Sequence, residues 1–185
     1  MQPALLVGDH IMADKLVLKS RRPKRGEAII FEFPERPEQD YVMRVIALAG
    51  DKLEVNDGHP WLNGWEVPHC VVGKAMMPAP HGKQWSGKLH VEYLDGEAYL
   101  AFFDEKAALG EVQGPYVVAD NEVWVLGDNR NNSNDSRLWF GRRGGGVPLN
   151  NVKARALSDG QASPTQVLTG RGSAPRWQSR CFQLR

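Results

Sequence analysis

Positions 127 to 137 read Gly127, Asp128, Asn129, Arg130, Asn131, Asn132, Ser133, Asn134, Asp135, Ser136 and Arg137, a stretch with scarcely an apolar side chain in it. It brings a hydroxyl (Ser133), two carboxylates (Asp128 and Asp135) and a guanidinium (Arg137) within a few residues of one another, enough to orient a reacting group by hydrogen bonds and charge. A run so rich in Asn, Asp, Ser and Gly is by default a solvated turn. Charge pairs such as Asp135 with Arg137 more often hold a loop than enter a reaction. The remaining reactive side chains are thinly spread. His10 stands beside a Gly8-Asp9 turn and reads as a surface or core-edge histidine. Cys70 and Cys181 are too far apart for a zinc or redox motif. A bridge between them would close a loop of about 110 residues, worth ~4–5 kcal/mol on the chain-entropy model; two unpaired thiols are an equal alternative. No metal or cofactor is expected.

The order of the polar residues says more than their composition. The stretch agrees at all nine fixed positions with the G-D-N-R-x-N-S-x-D-S-R box of bacterial type I signal peptidases, which this chain therefore resembles. Three further stretches follow the same family in the same order. Met1-Gln2-Pro3-Ala4-Leu5 is similar to the M-x-P-T-L that follows the family's nucleophilic serine, and Gly8-Asp9-His10-Ile11-Met12-Ala13-Asp14-Lys15 to the G-D box after it. Tyr41-Val42-Met43-Arg44-Val45-Ile46-Ala47-Leu48-Ala49-Gly50-Asp51 resembles the Y-hydrophobic-K-R-V-x-G-x-P-G-D box. The resemblance covers about residues 1–66 and 117–157.

It implies a serine–lysine endopeptidase that removes signal peptides from exported preproteins. A serine hydroxyl attacks only when a neighbouring base takes its proton. Lysine, with an ordinary pKa of about 10.4, is such a base only where an apolar pocket favours the neutral amine. The lysine position holds Met43, whose thioether has no basicity, and the serine would stand just before Met1. The expectation is a preserved scaffold without the family's reaction. Met suits a site built around a buried neutral lysine, both chains being unbranched. By the same resemblance Ser133 matches the serine that hydrogen-bonds the lysine amine. Asp128, Arg44, Asp135 and Arg137 brace the catalytic loop, while Met1, Leu5, Tyr41 and Val42 line the pockets for the signal peptide. An active enzyme recruiting another base, and a silent assembly factor for secreted or pilus proteins, are the alternatives. A self-cleaving repressor-type domain is disfavoured by the G-D-N-R box.

The elements that must position these residues read as mostly β. Residues 4–18 suggest two strands about Gly8-Asp9, and Ala28 to Phe33 a buried strand ended by Pro34. From Tyr41 to Leu48 alternation places Tyr41, Met43, Val45 and Ala47 on one face and Val42, Arg44, Ile46 and Leu48 on the other. Asp57-Gly58, Asn63-Gly64 and Asp95-Gly96 are hairpin signals. No helix beyond a turn or two is expected. The architecture expected is an antiparallel, signal-peptidase-like β core made of residues 1–57 and 119–157. A hairpin-rich inserted subdomain occupies 58–118, and a polar C-terminal segment 158–185.

Composition narrows the partners. The net charge of +1, from 23 Lys and Arg against 22 Asp and Glu, gives no basic stripe for nucleic acid. No run approaches the about 18–20 apolar residues that cross a bilayer, and no export signal opens the chain. The resemblance nonetheless implies the extracytoplasmic face of a membrane, with preprotein signal peptides as partners.

Overall fold

The computed structural model describes residues 1–6, 8–106 and 112–158. The polar segment after Ser158, and with it the question of Cys70 and Cys181, lies outside the described residues. Among them are thirteen strands: β1 (Ile11–Asp14), β2 (Ala28–Phe33), β3 (Arg36–Leu48), β4 (Lys52–Asn56), β5 (His59–Leu62), β6 (Trp65–Glu66), β7 (His69–Pro78), β8 (Gln84–Leu94), β9 (Glu97–Asp104), β10 (Gln113–Val117), β11 (Glu122–Leu126), β12 (Val147–Pro148) and β13 (Val152–Ser158). Two four-residue helices, α1 (Val17–Ser20) and α2 (Trp139–Arg142), accompany them. A six-stranded sheet runs β1-β13-β2-β3-β11-β12, a four-stranded one β10-β4-β5-β6, and a three-stranded one β7-β8-β9. The strand pairings are antiparallel, as expected.

The hairpin signals are borne out at the backbone. Asp57, Asn63 and Asp95 take φ of 48°, 53° and 49°, each followed by a glycine with φ near 80–90° (79°, 87° and 87°). This is the two-residue turn whose twist matches that of its strands. The expected strand at residues 4–6 does not form. The Leu5 amide donates to the Met1 carbonyl and that of Leu6 to the Asp9 carboxylate, so local turns satisfy this backbone. Beyond β1 the chain turns into α1 instead of extending to residue 18, because Asp14 Oδ1 accepts from the amides of Leu16 and Val17.

The alternation expected along β3 holds as far as Val45 and then slips. Trp124 pairs with Ala47 and Val125 with Val45, leaving Ile46 as an extra residue in a bulge. Ala47 accordingly joins Ile46 in a core with Leu53, Val55, Trp124 and Leu126. Leu48 packs against the other core, which holds Met43, Val45, Phe31 and Trp139. Ala47 and Leu48 thus exchange the faces that strict alternation gave them.

Candidate functional site

The polar box follows β11, and it is buried rather than solvated. Asp128, Asn129, Arg130, Asp135, Ser136 and Arg137 all sit inside the molecule. Burial on that scale requires every charge to find a partner. Arg44 Nε and Nη2 donate to Asp128 Oδ1 and Oδ2 at 2.8 and 2.6 Å, while Nη1 reaches the Gly26 carbonyl at 2.7 Å. Its guanidinium also lies 4.2 Å above the Tyr99 ring. Burial would strip the charge from Arg44, but the Asp128 carboxylate more than restores it and its pKa rises. Arg137 clasps Asp135 through Nε and Nη2, both at 2.8 Å, and donates to the Arg130 carbonyl at 2.7 Å.

Gly127 is required by close approach. A Cβ there would meet Ser133 Oγ at 2.2 Å, so the Ser133 side chain lies directly against the Gly127 backbone. Asp135 Oδ2 accepts from the Gly127 amide at 3.0 Å. The loop therefore folds back on its own first residue, held by its own carboxylate. Ser136 Oγ accepts from the Val125 amide, and Trp139 Nε1 donates to the Asn134 carbonyl, fixing the exit of the loop.

Met43 stands on β3 beside Arg44, on the opposite face. It is buried in the apolar cluster of Ile29, Phe31, Val45 and Trp139, with Met1 packed against that cluster. Tyr41 shares its face and stacks on Phe33 with ring centroids 4.6 Å apart. Val42 points the other way, into a cavity of about 640 Å³ that it lines together with Met1, Leu5, Trp85, Asn129 and Asn132. Three of the four expected pocket residues, Met1, Leu5 and Val42, therefore meet; Tyr41 does not line that cavity. A second cavity of about 250 Å³ touches Met1, Leu5, Arg44 and Tyr99. His10 is exposed, as its reading anticipated.

A model of the signal peptidase family, peptidase S26, matches residues 1–158, taking in the Arg44–Asp128 clasp, the buried box and the cavity beside them. The chain belongs to that family. Its relatives include the signal peptidase I of Aquifex aeolicus, 31% identical over 85% of this chain and 70% of the relative. That of Pseudomonas fluorescens is 30% identical over 75% of this chain, which spans 52% of the relative's length. The crystal structure of a signal peptidase I from Enterococcus faecalis V583, 21% identical, covers 73% of this chain and 97% of its own with a TM-score of 0.41, a likeness too loose to bear weight. Among the described residues no helix is long and apolar enough to cross a membrane.

Two features of this signal peptidase homologue escaped sequence reasoning. The first is Glu92 on β8, which receives Arg130 of the box in a bidentate clasp, both bonds at 2.6 Å, with both side chains fully buried. Burial opposes the Glu92 charge, but Arg130 outweighs it and holds the carboxyl down at about 2. The second is Trp85, which with Pro78 and Pro80 carries the β7–β8 hairpin to the rim of the larger cavity. Neither had a usable signal, since a Glu alternating with apolar residues looks like any solvent-facing strand position.

Proposed function

We propose that this chain binds the signal-peptide segments of exported preproteins in the cavity lined by Met1, Leu5 and Val42 and, with methionine at position 43, does not hydrolyse them. The observation that carries this reading is the burial of Met43 among apolar side chains at the position of the family's lysine. A thioether there can accept no proton, so a serine hydroxyl brought to it would stay a hydroxyl. Docking by strand addition is supported by β3 itself. β11 pairs with it from Arg44 to Leu48, so, among the described residues, 36–43 have a strand on one edge only, that of β2. An extended peptide laid there would bond to that edge and place small side chains beside Val42. The arrangement of preprotein and membrane surface around it belongs to the same proposal.

The test joins a serine-containing family segment ahead of Met1 and measures cleavage of a preprotein with and without Met43→Lys. Turnover is expected only with lysine. Turnover with Met43 retained would mean that another base serves the site and would overturn the reading.

A further inference from the structure

Three histidines scattered in sequence converge beyond the box. His59 opens β5, His69 opens β7 and His90 lies on β8. The centroids of His59 and His69 are 3.7 Å apart, those of His59 and His90 4.9 Å, and those of His69 and His90 5.4 Å. One ring nitrogen from each lies within 4.8 Å of the other two. Phe103 closes the cluster, 4.4 Å from both His59 and His90. His90 is only 8% exposed, and the buried Nδ1 atoms of His59 and His90 have no hydrogen-bond partner.

Ring stacking against Phe103 explains the packing of these side chains but not their nitrogens. An unpaired buried polar atom costs about 1–3 kcal/mol, so the orphaned His90 Nδ1 calls for a ligand that the neighbouring rings can share, while His59 Nδ1 has the Glu92 carboxylate 3.6 Å away. A proton could be shared only pairwise, whereas a cation with open coordination positions satisfies all three rings. The donor set is nitrogen, with no cluster of oxygens, which disfavours calcium and magnesium. We propose that His59, His69 and His90 form a binding site for a single late first-row divalent ion of the zinc type, leaving a fourth position for water.

Tetrahedral ligand nitrogens at zinc stand about 3.3 Å apart, given bonds of about 2.0–2.1 Å, so small ring rotations must draw the three together. Two partners are already placed to orient them. His69 Nδ1 lies 3.4 Å from the Val67 carbonyl, and Glu92 Oε1 lies 3.6 Å from His59 Nδ1. Carboxylates and carbonyls commonly hold the second nitrogen of a ligating imidazole in this way. Because Glu92 also clasps Arg130, the ion would fasten β5, β7 and β8 at one remove from the polar box. The site departs from the expectation that the chain carries no metal. Single histidines on three separate strands leave no spacing motif to read.

The test uses the untagged full chain, titrated with Zn²⁺ or Co²⁺ against a weak competing chelator. The wild type is expected to take up one equivalent, to show the visible absorption of tetrahedral Co²⁺ without a thiolate charge-transfer band, and to melt at a higher temperature with Zn²⁺. His69→Ala, at a half-buried strand end, and His90→Asn should each weaken uptake at least tenfold. His10→Ala and His81→Ala, both at exposed positions, should leave it unchanged. Absence of saturable uptake by the wild type would overturn the proposal. So would a thiolate band, which would assign the ion to cysteine, or undiminished uptake in folded His69→Ala.

Discussion

Methionine at position 43 leaves the scaffold intact because its side chain wants what the pocket offers. The cluster of Ile29, Phe31, Val45 and Trp139 offers an unbranched chain apolar contacts, and a thioether asks for no hydrogen bond. An amine in the same place would be desolvated, with its pKa pushed below about 10.4. Met43→Lys should therefore be less stable than the parent at pH 7, where the unfolded lysine is charged and the folded one is under pressure to lose its proton. Because the unfolded state then binds more protons, the deficit should shrink as pH rises towards about 10.4. Chemical denaturation at pH 7, 8.5 and 10 measures it. A deficit that does not change with pH would mean that the amine has swung out to water and that the pocket cannot make a base of it.

The three sheets are held in place by glycines and clasps whose visibility in the sequence differs greatly. Gly87 on β8 faces Phe103 so closely that a Cβ would lie 2.1 Å from its carbonyl oxygen and 2.6 Å from the Phe102 ring. That oxygen is backbone in the paired strand β9, so it cannot step aside. Gly87→Ala should cost about 3 kcal/mol or more, at the upper end for overpacking, and should part β8 from β9. Gly96, in the turn between the same strands, has open space around it and only its positive φ of 87° to lose. Gly96→Ala should cost about 1–2 kcal/mol. Urea melts of the two variants compare them directly, and equal losses would contradict this account of strand spacing. The turn glycines were legible because Asp-Gly and Asn-Gly pairs adopt positive φ without strain. Gly87 was not, since nothing local distinguishes a glycine that lets two strands meet from one that merely weakens a strand. The bulge at Ile46 was hidden for the same reason: its cause is the register of β11, some eighty residues away in the chain. The box itself was legible as a motif, and Arg44 on the neighbouring strand β3 as a brace of its loop, yet its burial was not, because Glu92, which neutralises Arg130, comes from another sheet.

Across the molecule, the clasps between Arg44 and Asp128, Arg130 and Glu92, and Arg25 and Asp51 tie the six-stranded sheet, the polar box and the smaller sheets into one body. Such an arrangement makes stability depend on keeping carboxylates ionised. Glu92, held at about 2 by Arg130 against the pull of burial, is the clearest case. Asp51 is lowered too: burial opposes its charge, but the Leu48 amide, Asn63 and Arg25 outweigh it. A carboxyl whose folded pKa lies below its unfolded value of about 4.3 stabilises fully above that pH. The contribution disappears as pH falls through the folded value, so for Glu92 the window runs from about 4.3 down to about 2. Glu92→Gln removes the titrating group and leaves Arg130 buried with a neutral partner. It should cost about 3–5 kcal/mol at pH 7, the usual loss when one member of a buried pair is removed. Its stability should then fall less steeply than that of the parent between pH 4.5 and pH 2.5 (about the Glu92 window), with both proteins melted in chelator so that bound metal is not a variable. Parallel curves would show that Glu92 is already protonated, or reaches solvent, in the folded protein. In that event Arg130 would be held by the carbonyls of Gly58 and Gly127 alone, and β8 would not be what anchors the polar box.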